Sequence, residues 1–145
     1  MIKYSSEVTI DRPPREVFGA LLNPARYAEW TEMVDMAFDG GGSPEVGTKG
    51  SFRLSAGPIK GRLGVELTEL VPDRKLVFEI SHPTLDWTAV STIEPAGSGT
   101  RLTYAGTIRF RGWRRVLEPI AGGEISRGEG NEVLRLKTLL EGSAG

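Results

Sequence analysis

The chain has 145 residues and a mass of 15.7 kDa, the size of one domain, for which folding buries roughly 70% of the surface exposed by the unfolded chain. Hydrophobic residues at 39% and charged residues at 26% describe an ordinary globular composition, and 18 basic against 19 acidic residues leave a net charge of −1, which gives no electrostatic case for a nucleic-acid partner. Cysteine is absent and His82 is the only histidine, which excludes disulfides, thiol nucleophiles, thiolate or multi-imidazole metal sites, and any Ser-His-Asp triad not built on His82.

Lys3–Asp11 places Tyr4, Ser6, Val8 and Ile10 on one parity, the pattern of a strand with one buried face. Pro13 and Pro14 suit the first turn of a helix whose stripe is Val17, Phe18, Leu21 and Leu22, and Asn23-Pro24 ends it and caps a second short helix over Ala25–Trp30. From Val34 the period changes to two. Strands are predicted over Val34–Phe38, Lys49–Ser55, Gly61–Val71, Lys75–Ser81, Trp87–Ile93 and Arg101–Arg111, divided by turn clusters such as Gly40–Pro44, Ala56–Pro58, Pro72–Arg74 and Glu94–Gly99. Such short connections imply an antiparallel meander.

Trp113, Val116, Leu117 and Ile120 then recur at helical spacing, and Val133, Leu136 and Leu140 resume it. A C-terminal helix of up to about 30 residues, roughly 45 Å if continuous, is predicted. Pro119 and the glycines at 122, 123, 128 and 130 predict that it is kinked or broken before its second half. One curved antiparallel sheet of six to seven strands closing on this helix gives a single α+β domain.

The order strand, two short helices, six strands, long helix resembles the START-like helix-grip fold. Val8–Phe18 (VTIDRPPREVF), followed by Leu22-Asn23-Pro24, Tyr27 and Trp30, resembles the opening of the polyketide cyclase/dehydrase-like (SRPBCC) proteins. Leu67–Phe78 and the ending Leu134–Glu141 resemble that family too, so the likeness runs over nearly the whole chain. It implies a sheet wrapped around the last helix with an apolar cavity between them, which in such proteins takes lipids, polyketides, aromatic compounds or hormones. It implies no catalytic motif, because the superfamily shares none.

Among the residues that could carry chemistry, His82 continues the parity of Leu76, Phe78 and Ile80, and Asp86 lies just across the turn, near enough to orient it at a cavity rim; a solvated turn histidine is the plain alternative. Glu66 shares the outer parity of its strand and is read as a surface charge. Trp30, Phe52, Phe78, Trp87, Tyr104 and Trp113 fall mostly on inward parities, as core or as ligand-lining residues, with Tyr104 as a hydrogen-bond donor and a third catalytic candidate beside His82 and Asp86. Extending the stripe of Trp113, Leu117 and Ile120 reaches Glu124 and Arg127, an acid and a base that face the cavity if the helix is continuous. Gly122 and Gly123 either leave room above a helix floor or form a loop. Arg109–Arg115 is a basic cluster with aromatics, suited to an anionic surface or simply solvated.

Three functions follow as expectations: a carrier or sensor of a small hydrophobic ligand, a cyclase or dehydrase using His82, and a protein or membrane interaction module built on Arg109–Arg115. No cofactor, metal or nucleic-acid partner is expected. Without a secretory leader or an apolar run of ~20 residues, the chain is expected to be cytoplasmic with no integral membrane segment, as a monomer or a homodimer.

Overall fold

The structure, a computed structural model, describes residues 1–57 and 59–142. Seven strands are arranged in one antiparallel sheet: β1 (Ile2–Ile10), β2 (Val34–Phe38), β3 (Lys49–Ala56), β4 (Ile59–Val71), β5 (Lys75–His82), β6 (Leu85–Ala96) and β7 (Gly99–Phe110). Their order is β1-β7-β6-β5-β4-β3-β2, so the first strand pairs with the last and the rest follow as a meander. Between β1 and β2 lie α1 (Pro14–Leu22), a 3-10 turn (Pro24–Arg26) and the one-turn α2 (Tyr27–Trp30); after β7 come a 3-10 segment (Gly112–Leu117) and the long helix α3 (Glu118–Gly142). This is the helix-grip α+β architecture. Pro58, placed in the turn after β3, lies outside the described residues.

The period-two pattern becomes one continuous apolar face. Register brings Ile2 beside Ile108, Ile108 beside Trp87, Trp87 beside Ile80 and Ile80 beside Val65, a row across five strands. All five are buried, while Glu79 and Asp86 on the opposite parity are exposed. A bulge at Thr68 shifts the register between Leu67–Phe78 and Glu69–Val77, so the inward parity of β4 changes there. At the opening unit, Pro14 stands at the helix start and the Asn23 carboxamide oxygen accepts the Ala25 N–H at 3.1 Å, as the turn chemistry requires.

The last helix corrects the expectation of a break. It is α-helical from Glu118 to Gly142, and Pro119 sits in its first turn, where no intrahelical N–H is lost. Its ends are fixed to the sheet. Glu118 accepts the Phe110 N–H at 2.8 Å and pairs with the amino terminus, while Glu141 accepts the Asp11 N–H at 2.8 Å and Lys137 Nζ donates to the Thr9 carbonyl at 2.6 Å. Each helical glycine costs about 1 kcal/mol relative to alanine, yet Gly130 lets the helix lie close to β1: a Cβ there would stand 3.3 Å from Ser6 Oγ, whereas one on Gly122 would make an ordinary contact with Ile2 at 3.8 Å. Packing of Val133, Leu136 and Leu140, at most 4% exposed, more than offsets the propensity.

Candidate functional site

Where α3 crosses the sheet it leaves a cavity of about 300 Å³, opening between the β3–β4 turn and the middle of the helix. Met33, Leu54, Ile59, Trp87, Ile108 and Ile125 form its apolar wall. Gly57 and Gly128 line its mouth, and the position a Gly57 Cβ would take is 3.6 Å from Glu124 Oε1. A second void of about 10 Å³, lined in part by Phe52, Phe78 and Tyr104, lies deeper in the core.

Most of the polar side chains lining the cavity come from α3, with Glu32 and Ser55 adding to them. Glu129 and Glu132, one turn apart, are each only 7% exposed and both line it. As carboxylates both can only accept, and the Oε2 atom of each has no hydrogen-bond partner among the described residues. A single proton held between them eases that conflict. Burial pushes the Glu129 carboxyl well above the usual range, with the neighbouring Glu132 charge and its hydrogen bond to Glu132 adding to the shift. Burial also raises Glu132, opposed by the hydrogen bond from Glu129, the Glu32 main-chain amide and the Arg135 charge. At the rim Arg135 stands 3.6 Å from Glu32.

Beside the pair the sheet supplies aromatic groups. Tyr4 Oη accepts the Trp87 Nε1–H at 2.9 Å, and the geometry depends on Gly106, where a Cβ would lie 2.4 Å from that hydroxyl. Burial, then the charge of Glu129, raises both Tyr4 and Tyr104, so both phenols stay neutral. Trp30 stacks at a tilt on Tyr27 (5.2 Å between centroids) and edge-on to Tyr104 (5.6 Å), and its indole N–H, buried, has no hydrogen-bond partner among the described residues. Tyr27 Oη donates to the Leu21 carbonyl at 2.6 Å.

These positions sort the sequence candidates. Trp30, Phe52, Phe78, Trp87 and Tyr104 are buried in the core, and Trp87 reaches the cavity wall. Glu124 lines the mouth, Leu117 packs partly buried against the core, and Arg127 lies in a surface groove with Ser6, Glu7 and Asn131 rather than facing the cavity. Trp113 and Ile120, expected on the inward stripe, are 67% and 80% exposed. Trp113 belongs to the 3-10 segment, whose three residues per turn carry the extrapolated stripe off the face that α3 buries. His82 keeps its inward parity, half-buried, but its Nδ1 contacts Thr84 Oγ1 at 2.8 Å and it does not line the cavity. Asp86 does not orient it: its carboxylate takes two hydrogen bonds from Arg111, which hold it below the usual carboxylate range. Of the basic cluster, Arg111 is thus engaged and Arg114 lies over Trp113, 4.8 Å from the ring centroid. Glu129 and Glu132 are absent from the sequence candidates, although each stands four residues before a stripe residue, Val133 and Leu136, and so shares its helix face.

Over residues 1–141 the chain matches the family described as "Polyketide cyclase / dehydrase and lipid transport". It belongs to this family. A search of curated proteins finds no match. Solved structures share the fold at low identity: TTHA0849 from Thermus thermophilus (14% identical, TM-score 0.77, 99% of each chain covered), the Aha1 dimer from Colwellia psychrerythraea (17%, 0.73, 100% of each) and MLL2253 from Mesorhizobium loti (23%, 0.72, 99% of each). Among the described residues of this family member, no helix is long and apolar enough to cross a membrane, and no three His, Cys, Asp or Glu side chains are gathered to hold a metal ion.

Proposed function

We propose that this family member binds a small, mostly apolar molecule in the cavity between α3 and the sheet, as a carrier or sensor. The observation that carries this reading is the cavity itself: about 300 Å³, walled by aliphatic and aromatic side chains, with polar side chains supplied mainly by α3. That is the usual build of a small-molecule site, at the lower end of the usual size range. The family description, which includes lipid transport, supports it. An acid–base enzyme built on His82 has less support, because His82 contacts Thr84 and Asp86 is held by Arg111.

The test uses an uncharged fluorescent probe, N-phenyl-1-naphthylamine. Its emission should rise saturably on titration with the wild type. Gly128→Leu should abolish that rise while leaving the protein folded, because a Cβ at 128 meets nothing within 4 Å and leucine favours the helix. Non-saturable emission, or the same titration in both proteins, defeats the reading.

A further inference from the structure

We propose that the Glu129–Glu132 pair is a recognition point for a basic nitrogen, so that the cavity selects an amine carried on an apolar body. This rests on the cavity being a ligand site. The charge of the lining points to a cation: Glu32, Glu124, Glu129 and Glu132 stand against Arg135 alone, and Arg135 already faces Glu32. A fatty-acid carboxylate or a phosphate would meet like charge there with no free guanidinium to offset it.

The second argument is the pair of buried oxygens. Glu129 Oε2 and Glu132 Oε2 are acceptors without a donor among the described residues, in side chains more than nine-tenths buried and lining the cavity. Burying acceptors without a donor is costly, and a proton shared by the two carboxyls, with the Glu32 amide on Glu132, relieves that cost only in part. An ammonium group offers three donors and a full positive charge, so it can serve both carboxylates at once through charge-assisted hydrogen bonds. Trp87 in the same wall adds an aromatic surface that favours a cation. Met33, Leu54, Ile59 and Ile108 would hold the hydrocarbon part.

Charge and protons balance on binding. The protonated amine enters with its charge, the proton between Glu129 and Glu132 leaves to solvent, and both carboxylates pair with the ammonium. The other groups facing the pair do not take that proton: Tyr4 on β1 and Tyr104 on β7 are already protonated phenols, Arg135 on α3 is already cationic, and Glu32 and Glu124 lie exposed at the rim and mouth. Amine affinity should therefore rise with pH, as the cost of expelling the proton falls.

The experiment is isothermal titration calorimetry at neutral pH with three matched probes: 2-(1-naphthyl)ethylamine, 2-(1-naphthyl)ethanol and 1-naphthylacetic acid. The amine should bind at least about tenfold more tightly than the alcohol, roughly 1.4 kcal/mol, and the acid more weakly than either. Repeating the amine titration in buffers of different ionisation enthalpy should show up to one proton released. Glu129→Gln and Glu132→Gln, checked for folding by circular dichroism, should bring the amine down to the level of the alcohol and leave alcohol binding intact. Equal binding of amine and alcohol, or a preference that survives both substitutions, overturns this inference while the cavity reading stands. No binding of any naphthyl probe overturns the cavity reading itself. Should both variants fail to fold, the proton count on the wild type decides: no proton release means the pair is not the amine site.

Discussion

The two halves of α3 make the most informative contrast in the molecule. From Val133 onward the helix turns Val133, Leu136 and Leu140 into the core and is tied to β1 and its following turn by Lys137 and Glu141. From Glu118 to Gly128 it carries an exposed Ile120 and three glycines, and there it borders the cavity. Glu129 and Glu132 sit at the junction, buried like the second half and facing the cavity like the first. One helix thus fills the interior where it has side chains and leaves a space where it lacks them. Stability and binding are consequently separable by position along a single element.

The contrast is broken most forcefully by truncating the packed half. Leu136 is fully buried, so Leu136→Ala should cost about 2–5 kcal/mol. Ile120→Ala, at a site 80% exposed, should stay within about 0.5 kcal/mol. Urea denaturation of the two variants measures the difference. Comparable losses would mean that the first half is packed in solution after all.

The junction predicts an unusual pH dependence of intermediate size. Both carboxyls have folded-state pKa values raised above their unfolded ones. The folded protein then holds more protons than the unfolded chain, so this contribution is fully present below the ordinary glutamate pKa of about 4.3 and is lost as pH rises through the folded values. Asp86, Glu118 and Glu141 are shifted down, which acts in the opposite sense, with stability lost as pH falls through their folded values; solvent screens the exposed Asp86, and the part-buried Glu118 and Glu141 act equally in the wild type and in a Glu129 variant. Glu129→Gln should therefore match the wild type near pH 4 and exceed it at pH 8 by about 1–3 kcal/mol, the cost of a buried polar group left unsatisfied. Chemical denaturation at both pH values tests this, and a constant difference between the proteins would show that the carboxyl carries no excess proton.

The sheet was legible because alternation maps directly onto which face is buried: the inward parities of β1 and β3 to β7 follow from Tyr4, Phe52, Val65, Phe78, Trp87 and Tyr104 alone. The Thr68 bulge was not legible, since an extra residue in one strand is set by the partner strand. Nor was the cradle formed by Tyr4, Trp87 and Gly106, which joins residues 83 positions apart in its hydrogen bond. The helix misled through propensity. Four glycines and a proline outweigh a local count, whereas in the fold Pro119 needs no N–H and the glycine at 130 meets β1 closely. Glu129 and Glu132 were hidden by the rule that glutamate belongs outside, a rule that fails most often where a protein keeps a buried polar group for use.

The smallest effect separates the glycines by what they do. If α3 is one helix with open space at its first half, adding a methyl group there relieves a propensity penalty and costs no packing. Gly128→Ala and Gly123→Ala should each raise stability by about 0.5–1 kcal/mol, since the new Cβ meets nothing within 4 Å at 128 and only the end of Arg127 at 123. Gly130→Ala is the control, because its Cβ would come to 3.3 Å from Ser6 Oγ, and the helix would have to ease away from β1, cancelling most of the gain. Melting temperatures of the three variants suffice to read this. A loss at 123 and 128 would mean that the glycines are needed for a backbone shape other than a continuous helix, and a gain at 130 equal to theirs would mean that close packing against β1 does not hold the helix there.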